Sequence, residues 1–248
     1  PTHPPTPPPP PPPRTPAPPP RSPKKIFLMI RRPPRSTLMS CRRQRQMCIR
    51  DRTIDGMLPK YDEQFLQAEM DLFETWYLNR HLGIELDPAQ KASLNDVCKL
   101  LIQSAIEQPQ VFVHRDYHSR NLMITDDNNP GVIDYQDAVI GPISYDLVSL
   151  FKDCYIEWPR ERVELWLDLY LARITPTRLI DKATLARWFD LMGVQRHLKV
   201  LGIFARLNYR DGKAQYLDDL PLTLKYVLDA CDSYEELQPL RSLFEQIS

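Results

Sequence analysis

Asp116, Asn121 and Asp134 are the residues of this chain whose types and spacing could do chemistry. They fall in one stretch, VFVHRDYHSRNLMITDDNNPGVIDYQD, from Val111 to Asp137. Phosphoryl transfer requires a carboxylate that orients and deprotonates an attacking hydroxyl. It also requires oxygen ligands for a magnesium ion, which offsets phosphate charge. Asp116 suits the first task; Asn121 and Asp134 suit the second. The same residue types also suit a polar loop and turn with solvated carboxylates, and His-x-Asp-x4-Asn taken alone is a motif of moderate specificity.

These side chains need elements to position them. Val111 to Val113 is a short apolar run that reads as a strand. Leu122 to Ile124 and Val132 to Ile133 flank a turn rich in Asp, Asn, Pro and Gly, from Asp126 to Gly131. Two such runs form a hairpin. Asn121 then precedes its first strand and Asp134 ends its second, so the two can converge on one ion, with Asp116 on the loop leading in. Helices are expected around this hairpin. Tyr61 to Leu82 repeats apolar residues at three- and four-residue steps (Phe65, Leu66, Met70, Phe73, Trp76, Tyr77), with Arg80 on the same stripe. Asp62 caps it and Gly83 stops it. Asp87 and Pro88 open a second helix with Leu94, Val97, Cys98, Leu101, Ile102 and Ala105 inward, ending near Gln108-Pro109.

Further helices are expected over Tyr145 to Glu157, from Pro159 through Tyr170, and over Lys182 to Leu207. The last is one long helix or a kinked pair, with Gly193 and Gly202 as weak points. Thr175 to Arg178 reads as a break and Asn208 to Asp219 as a polar loop. Pro221 to Cys231 and Ser233 to Ile247 close the chain as helices. The fold class is α+β, mostly helical.

Composition divides the chain in two. Its 32 basic and 32 acidic residues balance, yet the first 52 residues hold 12 Lys and Arg against one acidic residue. The remainder keeps 20 basic and 31 acidic residues, and an acidic body argues against nucleic acid as partner. Of the 26 prolines, 17 fall in the first 34 positions, which restricts that part to extended coil. Residues 1–52 are read as a disordered Pro-rich and basic segment. Lys24 to Leu38 and Gln46 to Arg52 look like translated sequencing-adapter read-through, foreign to the fold. The alternative is a native tail that docks an aromatic-lined groove or an anionic surface. Residues 53–248 suffice for one domain. Five cysteines without a C-x-x-C pair read as free thiols of a reducing compartment. No run is long enough for a membrane span, and no signal peptide is evident. The expected location is the cytoplasm.

The stretch from His114 to Asp134 resembles the aminoglycoside-phosphotransferase and choline-kinase-like superfamily, which shares the catalytic lobe of protein kinases. Tyr135 to Ala138, Gly141-Pro142 and Asp146-Leu147 match segments that follow the metal-binding Asp there. Asp190 to Arg206, Arg210 to Lys213, Phe151-Lys152-Asp153 and Trp158-Pro159 are similar to the anomeric sugar kinases of bacterial cell-wall recycling. Those enzymes phosphorylate N-acetylmuramate and N-acetylglucosamine. The likeness covers residues 57 to about 230. It implies ATP and Mg2+ as cofactors and a small sugar as partner. Asp116 would be the base, and Asn121 and Asp134 the metal ligands. His114 and Asp146 would support the loop. Asp137 and Arg196 are candidates for substrate contacts, with a structural role open for each. His118 could reach phosphate or stay solvated, and surface ion pairs are the default for Arg115 and Arg120.

The resemblance also implies an N-lobe with a Gly-rich loop and a strand Lys. The chain has seven Gly and no G-x-G-x-x-G, and nothing before Tyr61 reads as a five-stranded sheet. The expectation is a kinase-like C-terminal lobe without its N-lobe, with weak turnover or none. Aminoglycoside, homoserine or choline kinases stay open as alternatives. So does a non-catalytic interaction protein that uses the Pro-rich arm.

Overall fold

The computed structural model describes residues 58–127, 129–174 and 180–247. The expectations for segment 1–52 and for the break at Thr175 to Arg178 lie outside the described residues. Helix α1 (Glu63–Leu72) starts at Asp62, whose side chain accepts from the Phe65 N–H at 2.9 Å. It continues as a π-helical segment, Phe73–Leu82, and ends where Gly83 adopts a left-handed φ of 70°. The Gly83 N–H bonds back to the Leu78 carbonyl, a five-residue step. That wider turn corrects the expected stripe. Trp76 is half-buried and Arg80 exposed, whereas Phe73, Tyr77 and Leu78 are buried. A period of 3.6 does not survive where bonds close over five residues.

Helix α2 (Pro88–Ile106) follows the expected pattern. Asp87 accepts from the Ala89 and Gln90 N–H groups, Gln90 returns a bond to the Asp87 N–H, and the listed apolar face is buried. Strand β1 (Gln110–Val113) leads into a 3-10 turn (Ser119–Asn121), β2 (Leu122–Met123) and β3 (Gly131–Val132). The hairpin is shorter than expected: Leu122 faces Val132 and Met123 faces Gly131, and Ile124 is already outside the strand and exposed.

Strand β4 (Val139–Pro142) was not foreseen. It pairs antiparallel with β1, Val113 opposite Val139 and Phe112 opposite Ile140. Pro59 and Tyr61 extend this edge through two backbone bonds to Ile140, at 2.9 and 2.8 Å. The whole excursion from His114 to Ala138 therefore leaves from and returns to one pair of strands.

Helix α3 (Tyr145–Phe151) is shorter than the expected Tyr145 to Glu157. Its end is set from outside: Lys152 leaves helical geometry, and Asp153 turns its carboxylate to the Ser119 N–H and the Tyr155 N–H. Helix α4 (Arg160–Leu171) starts after Pro159 and buries Val163 and Leu167. Helix α5 (Lys182–Asp211) is continuous through Gly193 and Gly202 and runs past Leu207, to a left-handed Gly212. The expected polar loop is instead the end of α5 followed by a 3-10 turn (Ala214–Asp219). Helices α6 (Leu220–Ser233) and α7 (Gln238–Ile247) finish the described chain.

Two apolar clusters pack on α5. One gathers Phe73 and Leu78 of α1, Leu101 of α2, and Leu198 and Leu201 of α5, with Val227 and Phe244 of α6 and α7. The other gathers Val113, Val139, Tyr145 and Val148 around Leu185, Phe189 and Met192. The second includes Val113 and Val139, the ends of the strands between which the excursion from His114 to Ala138 runs.

Candidate active site

The backbone that leads into the candidate site is held by a bond from far along the chain. Asp146, in the first turn of α3, accepts from the His114 N–H at 2.7 Å and the Arg115 N–H at 3.1 Å. Burial raises its pKa, and the two backbone bonds oppose that shift. Arg115 has a φ of 72°, in the left-handed region that disfavours a long side chain. That reversal turns the backbone immediately before Asp116.

After Asp116 the loop closes on itself. The Asp116 carbonyl accepts from the His118 N–H at 3.0 Å and from Asn121 Nδ2 at 3.0 Å. With Nδ2 engaged, Oδ1 is the Asn121 atom able to meet a cation. The Ile133 N–H bonds to the Asn121 carbonyl at 3.1 Å, which sets Asp134 beside this turn. Asp134 also has a left-handed φ, 68°, and its exposed carboxylate accepts from Gln136 Nε2 at 2.6 Å. Two non-glycine residues with such backbones in one loop are strained conformations that the surrounding bonds over-determine.

One carboxylate and one amide oxygen do not make a protein cage for a metal, and among the described residues no group of three or more His, Cys, Asp or Glu side chains is placed to hold a metal ion. The donor set fits magnesium shared with phosphate, because that ion keeps waters and takes one or two protein ligands beside phosphate oxygens.

The supporting residues lie as follows. His114 is buried and meets Tyr117 edge-on at 5.9 Å, and neither ring nitrogen has a partner among the described residues. It packs, but its ring makes no hydrogen bond. Asp137 is exposed, and its carbonyl accepts from Arg115 Nη1 at 3.4 Å. His118 Nδ1 accepts from the Arg120 N–H at 3.3 Å, which leaves the proton on Nε2. Burial lowers the pKa of His118, Asp153 opposes this, and Arg196 adds to it. Arg120 stacks over Tyr155 at 3.3 Å rather than forming an ion pair.

Arg196 is not at the surface. It is 6% exposed; Nη2 donates to Ser149 Oγ at 2.9 Å and Nε has no partner among the described residues. Ser149 Oγ in turn donates to the Arg115 carbonyl at 3.5 Å. Of the two roles left open for Arg196, substrate contact and structure, its burial and its bond to Ser149 support the structural one. Helix α5 points this side chain inward because it is covered on both sides.

Three buried residues behind the loop were given no site role by the sequence reading. Asp153, 2% exposed, accepts from both the N–H and Oγ of Ser119, at 3.1 and 2.5 Å. Glu69 of α1 is buried and bonded to Tyr61, Arg115, Gln195 and Lys199. Lys199 also donates to Tyr145 Oη at 2.7 Å. Glu69 left a signal: it sits on the apolar stripe between Leu66 and Met70, where a carboxylate is out of place unless paired.

Residues 52–185, more than half the chain, match the model of the phosphotransferase enzyme family. The chain is 47% identical over 200 residues to the N-acetylmuramate/N-acetylglucosamine kinase of Pseudomonas aeruginosa, covering 78% of this chain and 58% of that protein. Its identity to the protein of the same name in Neisseria meningitidis is 43% over 198 residues, with the same two shares. For Caulobacter vibrioides it is 32% over 190 residues, covering 75% of this chain and 51% of that protein. The chain therefore spans between half and three-fifths of the length of these relatives. Among solved structures it is similar to Plasmodium vivax ethanolamine kinase, with a TM-score of 0.49, 15% identity, and coverage of 76% of this chain and 53% of that one. By the match to the family's model over residues 52–185, the chain belongs to the phosphotransferase enzyme family.

Proposed function

We propose that this protein is the part of a sugar 1-kinase that carries the base and the metal ligands, and that it transfers the γ-phosphoryl group of ATP to the anomeric hydroxyl of N-acetylmuramate or N-acetylglucosamine. The observation that carries the reading is the closed turn in which the Asp116 carbonyl holds Asn121 Nδ2 while the Asn121 carbonyl holds the Ile133 N–H. It draws the backbone of Asp116, Asn121 and Ile133 together, which supports a carboxylate base with two oxygen ligands nearby. The names of the relatives supply the acceptor.

In this reading Asp116 orients the sugar hydroxyl and takes its proton. An anomeric hydroxyl is more acidic than an ordinary alcohol, so a carboxylate suffices. Asn121 Oδ1 and the Asp134 carboxylate hold magnesium, which offsets charge on the phosphates. The exposed Asp137 carboxylate is free to accept from a sugar hydroxyl. Residues 53–248 are the kinase-like C-terminal lobe in this reading, and deleting residues 1–52 is expected to leave turnover unchanged. Buried thiols at Cys98, Cys154 and Cys231 and the use of ATP suit the cytoplasm.

The test is loss of the reducing end of each sugar with ATP and Mg2+. It is run on the chain alone and on the chain joined to the N-terminal part of the Pseudomonas aeruginosa relative. Asp116→Asn is expected to lower kcat about 10²–10⁴-fold with little change in nucleotide affinity. Asp134→Asn is expected to raise the Mg2+ requirement, with partial rescue by excess metal. Asp126→Asn, on the exposed turn, is expected to change neither. Faster transfer to an aminoglycoside, homoserine or choline would replace the acceptor assignment. Near-full turnover by Asp116→Asn would remove the mechanism.

A further inference from the structure

We propose that Glu69 is a positioning residue for the metal-binding segment, acting through Arg115. The Glu69 carboxylate grips one arm of the guanidinium, Nη2. The other arm, Nη1, donates to the Asp137 carbonyl at 3.4 Å, three residues beyond Asp134. One side chain on α1 thereby sets the distance between the loop that bears Asp116 and the segment that bears Asp134. This inference rests on the reading of Asp134 as a metal ligand.

The grip on Arg115 is built rather than incidental. Glu69 is 6% exposed and takes four donors: Tyr61 Oη, Arg115 Nη2, Lys199 Nζ at 3.2 Å and Gln195 Nε2 at 3.3 Å. Those donors come from three separate elements, the strand edge before α1, the catalytic loop and α5. The guanidinium lies over the Phe65 ring at 4.8 Å, and the Arg115 N–H is bonded to Asp146. Arg115 is thus fixed at its backbone, its ring contact and both arms. Its left-handed backbone needs such constraint, because a long side chain does not adopt that region unaided. An exposed ion pair would hold nothing in place. This one is shielded, with side-chain exposures of 15% and 7%.

The cluster also carries two cations, Arg115 and Lys199, on one carboxylate. Lys199 binds Glu69 and Tyr145 but has no link to the Asp134 segment. It therefore separates positioning from mere stability.

The experiment follows Mn2+ as a paramagnetic probe, by broadening of the Asn121 and Asp134 amide signals in the full chain. The same spectra report folding. Glu69→Gln is expected to need about 10–100-fold more Mn2+ for equal broadening, the usual effect of losing a residue that orients a metal ligand. Lys199→Met is expected to lower the melting temperature and leave the Mn2+ dependence unchanged. If Glu69→Gln alone fails to fold, Glu69→Gln with Lys199→Met removes the surplus cation and is read in the same way. Arg115→Lys, whose single nitrogen cannot span Glu69 and Asp137, gives an independent reading and is expected to match Glu69→Gln. A folded Glu69→Gln or Arg115→Lys chain with wild-type Mn2+ dependence overturns the proposal. So does an equal shift in Lys199→Met. Broadening at unchanged Mn2+ concentration in Asp134→Asn refutes the metal reading itself, a different outcome from either.

Discussion

His197 lies on α5 with no exposed surface, its ring stacked on Tyr226 at 5.0 Å and its Nε2 facing the Lys152 carbonyl at 3.0 Å. Burial pushes its pKa down to about 3, helped by the nearby charges of Arg196 and Lys152 against the bond to the Lys152 carbonyl. In the unfolded chain the same ring titrates near 6.5. The unfolded state therefore takes up the proton first. The stabilisation is complete above about pH 6.5 and is lost as pH falls toward 3, at no more than ~1.4 kcal/mol per pH unit. Glu69 and Asp190 also have lowered pKa values, since for each the neighbouring cations outweigh the burial that opposes them, so their losses begin only at lower pH. His197→Gln keeps a donor and removes the titration. Urea unfolding of that variant is expected to show a flatter stability profile between pH 6.5 and 5 than wild type. An unchanged slope would mean that His197 is not the group responsible.

Gly202 shows what an element-scale contact can demand of one residue. A Cβ there would lie 2.4 Å from the Leu72 carbonyl oxygen and 2.5 Å from its carbon, so α5 passes backbone to backbone against α1. The contact falls where α1 changes to its π-helical segment. Alanine is favoured over glycine within helices by about 1 kcal/mol, but overpacking against fixed backbone costs about 1–3 kcal/mol, so the clash decides. Gly202→Ala is expected to lower the melting temperature. Gly193→Ala, whose Cβ would meet only Lys152 side-chain atoms at 3.6 Å or more and Val148 at 3.9 Å, is expected to hold or raise it. Thermal unfolding of both tests the pair, and a stabilised Gly202→Ala would exclude the close approach. The sequence marked both glycines as weak points of a helix. Neither interrupts it, and only one is a true site of contact.

At the scale of the whole molecule, α5 belongs to both apolar clusters. Leu198 and Leu201 join one, and Leu185, Phe189 and Met192 join the other. The two clusters are thus coupled through a continuous helix. Phe189, fully buried, is a direct probe. Phe189→Ala is expected to cost about 3–5 kcal/mol. Loss of helical circular dichroism and change in tryptophan fluorescence are expected to coincide along a urea titration, since opening either cluster strips one side of α5. Two separated transitions would show that the clusters fold independently.

The sequence by itself determined what depends on near neighbours. The caps at Asp62 and Asp87, the stop at Gly83 and the inward face of α2 were legible because a cap or a stripe is set by residues within a few positions. So was the line-up of Asp116, Asn121 and Asp134 around a hairpin turn. Tertiary structure decided the rest. Pairing of β4 with β1, the early end of α3, the inward turn of Arg196 and the grip of Glu69 on Arg115 each depend on a partner far along the chain. The π-turn of α1 broke the period that sequence patterning assumes, where α5 packs against it. A carboxylate on an apolar stripe states that it must find cations. Which cations, and that one of them reaches on to the Asp134 segment, follows only when α1, the catalytic loop and α5 are packed together, because a buried charge takes its meaning from the groups that surround it.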